Sequence, residues 1–159
     1  MEHKWLTLFP GPDACFWQHE WRKHGTCAGA APALKGLHQY FATSIRLFDA
    51  LDLMRWLSQD GIVPVTPASD RCYSRRAIHA AIQRHVQGKR VFLDCKRVSS
   101  RDREHHDGRM ERASSVLVGL HVCYDAISLA YVDCARERKE SRSCGSCIRF
   151  LQAYHSMDQ

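Results

Sequence analysis

Apolar positions along the chain change their spacing once, near Gly88. Before it, from Leu37 to Leu57, they recur at three- and four-residue steps: Leu37, Tyr40, Phe41, Ile45, Phe48, then Leu51, Leu53, Met54 and Leu57. That period predicts an amphipathic helix, or two joined near Asp49 to Asp52. Gly61 and Pro64 end it. Ser74 is placed to cap a further helix through Val86, with Ile78, Ala81, Ile82 and Val86 inward. Nearer the start, Pro10-Gly11-Pro12-Asp13 marks a turn. Residues 16–28 fit a helix with Asp13 as cap, and Ala30 to Pro32 break it.

After Gly88 the pattern becomes that of strands. "KRVFLDCK" reads as one strand, and "SVLVGLHVCYD" and "SLAYVDC" read as two more, joined by a short turn into a hairpin. Between them "RVSSRDREHHDGRMERASS", residues 97–115, is almost wholly polar and predicts a long loop. From Ala135 the chain is charged and carries Cys144 and Cys147. Helices come first and strands later, without regular alternation, so the expected class is α+β in one domain over 1–159.

Composition narrows this picture. No apolar run reaches the ~18 residues a membrane span needs, and no membrane partner is expected. The net charge is +6 with ten His counted neutral, which favours an anionic partner or else marks only a soluble basic surface. Eight Cys in 159 residues is an even and high count, pointing to disulfides and an oxidising compartment. No repeated CxxC pair supports structural zinc. Yet "MEHKWLTLFPGPDA" has no apolar core of a signal peptide, so the N-terminal part of a longer precursor is expected to be absent.

Titratable chemistry concentrates in "CFWQHEWRKHGTCA", residues 15–28. On an α-helix, with His19 at zero, Lys23 lies at about 40°, Glu20 at about 100° and His24 at about 140°. The four share one face, and Trp17, Trp21 and Ala28 fall opposite, as anchors. Two imidazoles can exchange protons, an ammonium can neutralise phosphate oxygens, and a carboxylate can orient an imidazole or bond a hydroxyl. No strong nucleophile lies on this face, so the set suits a substrate bringing its own, such as the 2′-hydroxyl of RNA. A solvated helix face carries the same residue types. A metal site is not expected: His19 and His24 are five apart rather than the four of His-Glu-x-x-His, and Lys23 would repel the ion.

The stretch "FWQHEWRKHGTC", Phe16 to Cys27, resembles the second active-site motif of the ribonuclease T(2) family, F-W-x-H-E-W-x-K-H-G-T-C, at every defined position. Looser likeness continues through Tyr40-Phe41, "GIVP" at 61–64, "AIHAAI" at 77–82, Gly88, Cys95, "LHVCYD" at 120–125 and Cys134, so that it covers most of 5–147. Gly119 stands where the family often has Glu. The resemblance implies helices packed on an antiparallel sheet and an acid endoribonuclease that cleaves single-stranded RNA through a 2′,3′-cyclic phosphate without metal or cofactor. It implies His24 as an acid/base, His19 as the phosphate-binding imidazole, and Glu20 and Lys23 as stabilisers of the pentavalent transition state. It also implies a monomer of the secretory pathway, extracellular or in a lysosome or vacuole.

The family's earlier motif, roughly H-G-L-W-P, has no counterpart in residues 1–14, where His3 sits in "MEHKW". One or more N-terminal strands and half of the acid/base pair are therefore expected to be missing, and the chain alone weak or inactive. The alternatives are a non-catalytic RNA-binding relative and a secreted disulfide-stabilised interaction domain. The resemblance implies a Cys123–Cys134 disulfide and Cys95 paired with Cys144 or Cys147; Cys27 is free or paired with Cys15 or Cys72. "CGSC" at 144–147 is expected to be structural rather than redox-active, and "REHHDGR" at 103–109 a solvated loop. His38, His79, His85, His121 and His155 are expected in surface or packing roles, and Trp5 and Trp56 in the core.

Overall fold

The first helix, α1 (Asp13–Glu20), starts earlier than the period alone suggests. Pro12 is its N-cap, with φ −67° and ψ 139°, and Asp13 already stands in the first turn. Asp13 therefore does not cap the helix; its carboxylate sits where the helix dipole favours negative charge. The helix then widens into a π turn, Trp21–Gly25, and closes with α2 (Thr26–Ala28). Of this computed structural model, residues 5, 6, 10–97, 115–135 and 144–152 are described. The polar stretch holding "REHHDGR", most of the charged tail, His3 and His155 lie outside the described residues. The chain divides into two compact units, Met1–Asp52 with Asp125–Ala130, and Leu53–Tyr124 with Tyr131–Gln159.

In the first unit a 3₁₀ turn, Pro32–Leu34, leads to α3 (Leu37–Asp49). Helix α3 buries Tyr40, Phe41 and Thr43, and the Thr43 hydroxyl donates to the Ala33 carbonyl at 2.8 Å. Its end at Asp49 decides between one helix and two. Ala50 still donates to the Arg46 carbonyl and Leu51 to that of Phe48, and α4 (Leu53–Ser58) follows in the second unit.

The second unit is built on α4, α5 (Arg75–Gln83) and the strands. Ser74 caps α5 as expected, its Oγ accepting from the Ala77 N–H at 3.1 Å. Ile78, Ala81, Ile82 and Val86 are buried, although the helix stops at Gln83 and Val86 belongs to the following turn. Gln87 and Gly88 carry that turn at φ 56° and 74°, and Gly88 donates to the Gln83 carbonyl at 2.7 Å. Trp56 packs in this core with the His85 ring stacked on it at 4.8 Å.

Strand β1 begins at Phe92, not Lys89, because the Lys89 N–H is still bonded to the Val86 carbonyl. β1 (Phe92–Arg97) pairs antiparallel with β2 (Ser115–His121), and the register shifts between Asp94 and Cys95. The expected hairpin is present but takes only the end of the first apolar run. The run ending in "CYD" breaks at Val122: its first part pairs back with β1, and only β3 (Cys123–Tyr124) pairs with β4 (Tyr131–Val132). A short β5 (Ile148–Arg149) adds to β2 in parallel. Leu93 and Ile148 point into the core with no exposed area.

Three disulfides lie in this unit. Cys95–Cys144 and Cys123–Cys134 are as the resemblance implied, and Cys72–Cys147 closes a separation of 75 residues. The two Cys of "CGSC" thus go to separate partners. Cys15 and Cys27 are free and exposed, so Cys72 is not the partner of Cys27.

Candidate active site

The helical run α1–π turn–α2 carries all four candidate residues. His19, Lys23 and His24 are exposed and Glu20 is half-buried. Their footing is aromatic. The Trp17 indole N–H donates to the Trp5 carbonyl at 2.6 Å. The Trp5 ring meets Phe41 edge-on at 5.0 Å, and Trp21 meets Tyr40 edge-on at 5.7 Å. The sequence assigned Trp17 and Trp21 to this anchoring side, and they take it.

The π turn alters the face. Thr26 donates its N–H to the Trp21 carbonyl, five residues back, while its hydroxyl bonds the Arg22 carbonyl at 3.1 Å. Each residue of a wider turn rotates through less than the α step, so His24 comes round closer to His19 than the ~140° of an unbroken α-helix. The spacing argument against a His19–His24 metal pair loses force for the same reason; the positive charge of Lys23 on that face still opposes a cation. Single π turns of this kind occur often at functional sites.

Two residues acquire roles that the sequence did not assign. Gly25 is buried, and a β-carbon on it would lie 2.1 Å from Trp21 Cε3, so the indole occupies the space a side chain would need. Tyr40 lies beneath the site. Its phenol is pushed above the ordinary range by burial and, secondarily, by the Glu20 carboxylate. Glu20 is thus the member of the set that turns toward the protein, with His19, Lys23 and His24 left open to a ligand. The four-residue spacing of Trp21 and Gly25, one helical turn, was the available signal for the first role. Nothing local marked the second.

An apolar cleft of about 810 Å³ opens between α1 and α3, lined by Trp17, Trp21, Leu37, Phe41 and Ile45 among others. Its polar lining is Gln18 and His38, with neither carboxylate nor ammonium, so it does not hold the acid/base chemistry.

An α+β frame thus carries two exposed imidazoles, an ammonium and a half-buried carboxylate on one helical run. The Ribonuclease T2 family model matches residues 1–134, and the chain belongs to that family. It is 30% identical over 146 residues to Ribonuclease DdI of Dictyostelium discoideum, covering 92% of this chain and 54% of the relative. It is 29% identical over 152 residues to Extracellular ribonuclease LE of Solanum lycopersicum, covering 94% and 57%. The crystal structure of human RNase T2 superposes with a TM-score of 0.69 at 25% identity, over 91% of this chain and 64% of that one. The chain spans about half the length of the relatives it matches.

Proposed function

We propose that this protein is an endoribonuclease that cleaves single-stranded RNA by transphosphorylation through a 2′,3′-cyclic phosphate. The observation that carries this is the placement of His19, Glu20, Lys23 and His24 on one anchored helical run with both imidazoles and the ammonium exposed. In the reaction the ribose 2′-oxygen attacks phosphorus and the 5′-oxygen of the next nucleotide leaves. His24 exchanges a proton with one of these oxygens, and His19 holds a non-bridging oxygen. Lys23 neutralises charge growing on the phosphorane, with Glu20 bonding beside it. The ammonium supplies the positive charge locally, and no metal or cofactor enters the scheme.

The reaction needs a second acid/base at the other oxygen, and residues 1–14 offer no H-G-L-W-P histidine. The activity of 1–159 alone is therefore proposed to be weak, by the ~10²- to 10⁴-fold that one general acid or base contributes. As the second reading, residues 1–159 on their own bind RNA without cleaving it. Three disulfides and the extracellular relative support a place in the secretory pathway.

The test is incubation of purified 1–159 with poly-uridine at acid pH and analysis of the products for cyclic-phosphate ends. Slow cleavage giving those ends supports the proposal. Robust turnover refutes the weak-activity part, and RNA binding without any cyclic ends replaces the first reading by the second.

A further inference from the structure

We infer that Arg22 holds the phosphate next to the one that is cleaved, and so sets how a strand of RNA lies across the helical run. The inference rests on the ribonuclease reading and adds a hold on the neighbouring nucleotide.

The first observation is position. Residues three and four apart are neighbours on a helix surface, and Arg22 and Lys23 stand three and four residues after His19. With His19 at zero, the α step puts Lys23 at about +40° and Arg22 at about −60°, while Glu20 and His24 lie on the Lys23 side. The smaller step of the π turn, Trp21–Gly25, draws Lys23 nearer to His19 and leaves Arg22 on its far flank. A strand crossing the run meets His24 first, then the phosphate held by His19 and Lys23, then Arg22.

The second observation is that Arg22 is open to a ligand. It is exposed, and among the described residues its guanidinium has no hydrogen-bond, ion-pair or ring partner. Other cations are committed within the protein: Arg84 bonds Asp60, Arg90 lies 3.6 Å from Asp133, and Arg71 lies over the Tyr73 ring. Its own helix supplies no carboxylate either, because the positions three and four away are Gln18, His19, Gly25 and Thr26. The Arg22 carbonyl, by contrast, accepts from the Thr26 hydroxyl at 3.1 Å, and the adjoining Trp21 ring rests on Tyr40. A fixed backbone under a free charged tip leaves less chain to order on binding.

The third observation is charge. Residues 15–28 hold Arg22, Lys23 and two imidazoles against the single carboxylate of Glu20, which is half-buried. In acid, with the imidazoles protonated, like charges stand at neighbouring helical positions, which destabilises a helix by itself. The cleaved phosphodiester brings one negative charge, and a second phosphate offsets the excess further. The planar guanidinium fork matches phosphate oxygens. Such a contact carries no base information, so any RNA with a phosphate beside the cleaved one fits.

The experiment uses the full chain and 2′-O-methyl oligouridines, which lack the attacking hydroxyl. Binding of a fluorescent octanucleotide is followed by anisotropy across a salt series, and 2′-O-methyl UpU, with a single phosphodiester, is measured as its competitor. Arg22→Gln should make the octanucleotide's slope of log affinity against log salt shallower by about 0.7, the share of one phosphate contact on a single strand. It should also weaken the octanucleotide more than UpU. Arg22→Lys, which keeps the charge, should hold the parental slope, and circular dichroism checks the fold of both variants. An unchanged slope in folded Arg22→Gln, beside RNA cleavage by the unmodified chain, overturns the role of Arg22 and leaves the ribonuclease reading standing. Equal weakening of UpU and the octanucleotide overturns it by placing Arg22 on the cleaved phosphate. A slope lost equally in the Lys variant overturns it in favour of a purely structural part. No RNA binding and no cleavage by the unmodified chain overturns both readings.

Discussion

The Trp21 indole occupies the space in which a β-carbon at position 25 would have to sit, 2.1 Å from Cε3. Position 25 therefore accepts glycine for packing rather than for backbone freedom: Gly25 itself is right-handed helical, with φ −65° and ψ −36°. The π turn that carries Lys23 and His24 closes on this contact. Gly25→Ala should displace the indole from Tyr40 and cost about 1–3 kcal/mol, the usual range for overpacking. Chemical denaturation measures that loss, and cleavage should fall with it because the displaced turn carries the site. A variant as stable and active as the parent would show that the turn can open without consequence.

His24→Ala and Lys23→Ala separate chemistry from folding. Both side chains are exposed, so each change should leave stability within about 0.5 kcal/mol. Cleavage of poly-uridine should nevertheless fall by ~10²- to 10⁴-fold for His24 and by ~10²- to 10³-fold for Lys23, if its charge stabilises the phosphorane. Product ends followed by chromatography give both rates. Parent-like cleavage by the His24 variant would remove this helix from the reaction.

Tyr40→Phe tests the support beneath the site. The ring contacts with Trp21 and Phe41 survive the change, while the phenol that responds to the Glu20 charge is lost. Stability should hold to within about 1 kcal/mol, the size of one ordinary hydrogen bond. The measured quantity is the pH profile of cleavage, expected to keep its position because the phenol, raised above its ordinary value, is neutral throughout the acid range. A profile that moves would give Tyr40 a part beyond packing.

What was legible in the sequence follows from the range of the forces involved. Ile78, Ala81 and Ile82 show the core face of α5 because burial of a helix repeats every three or four residues. The anchoring role of Trp17 and Trp21 was legible for the same reason. The π turn was not, since widening a helix by one residue leaves its apolar spacing readable as α. The run "SVLVGLHVCYD" is apolar throughout and does not say which stretch pairs with which strand; its break at Val122 is set by β1 on one side and β4 on the other. Strand β5 is two residues long and exists through β2, a partner about thirty residues away in sequence that no local pattern names. His121, expected in a surface or packing role, lies 2.5 Å from Asp94 across β1 and β2. Gly119 lies opposite Asp94 in the register, and a β-carbon added there would lie 3.3 Å from the Asp94 β-carbon.

Cys72–Cys147 spans 75 residues, against 11 for Cys123–Cys134. In the chain-entropy account a longer closed loop restrains the unfolded chain more. Replacing Cys72 and Cys147 together by Ala should therefore lower stability by about 2–5 kcal/mol, and by more than the same change at Cys123 and Cys134. Denaturant midpoints on the two double variants give the order. The reverse order would mean that native packing around the bridges, rather than loop length, sets their worth.

Asp125 provides a test by pH. Its carboxylate accepts from the Ser128 N–H at 2.8 Å, the Ser128 hydroxyl at 2.8 Å and the Ile127 N–H at 3.1 Å. These bonds hold its pKa below the ordinary 3.8, Ser128 contributing most. A folded-state pKa that is depressed means stabilisation fully present above the unfolded value and lost as pH falls through the folded one. Asp125→Ala should be less stable than the parent at neutral pH, with the gap closing only as pH drops below 3.8. At the mildly acid pH suited to the proposed reaction, the loop from Asp125 to Ala130 should still be held. Thermal melts of both proteins over a descending pH series measure the gap. A gap that stays constant down to the lowest pH would show that the hydrogen bonds do not depend on the ionised carboxylate.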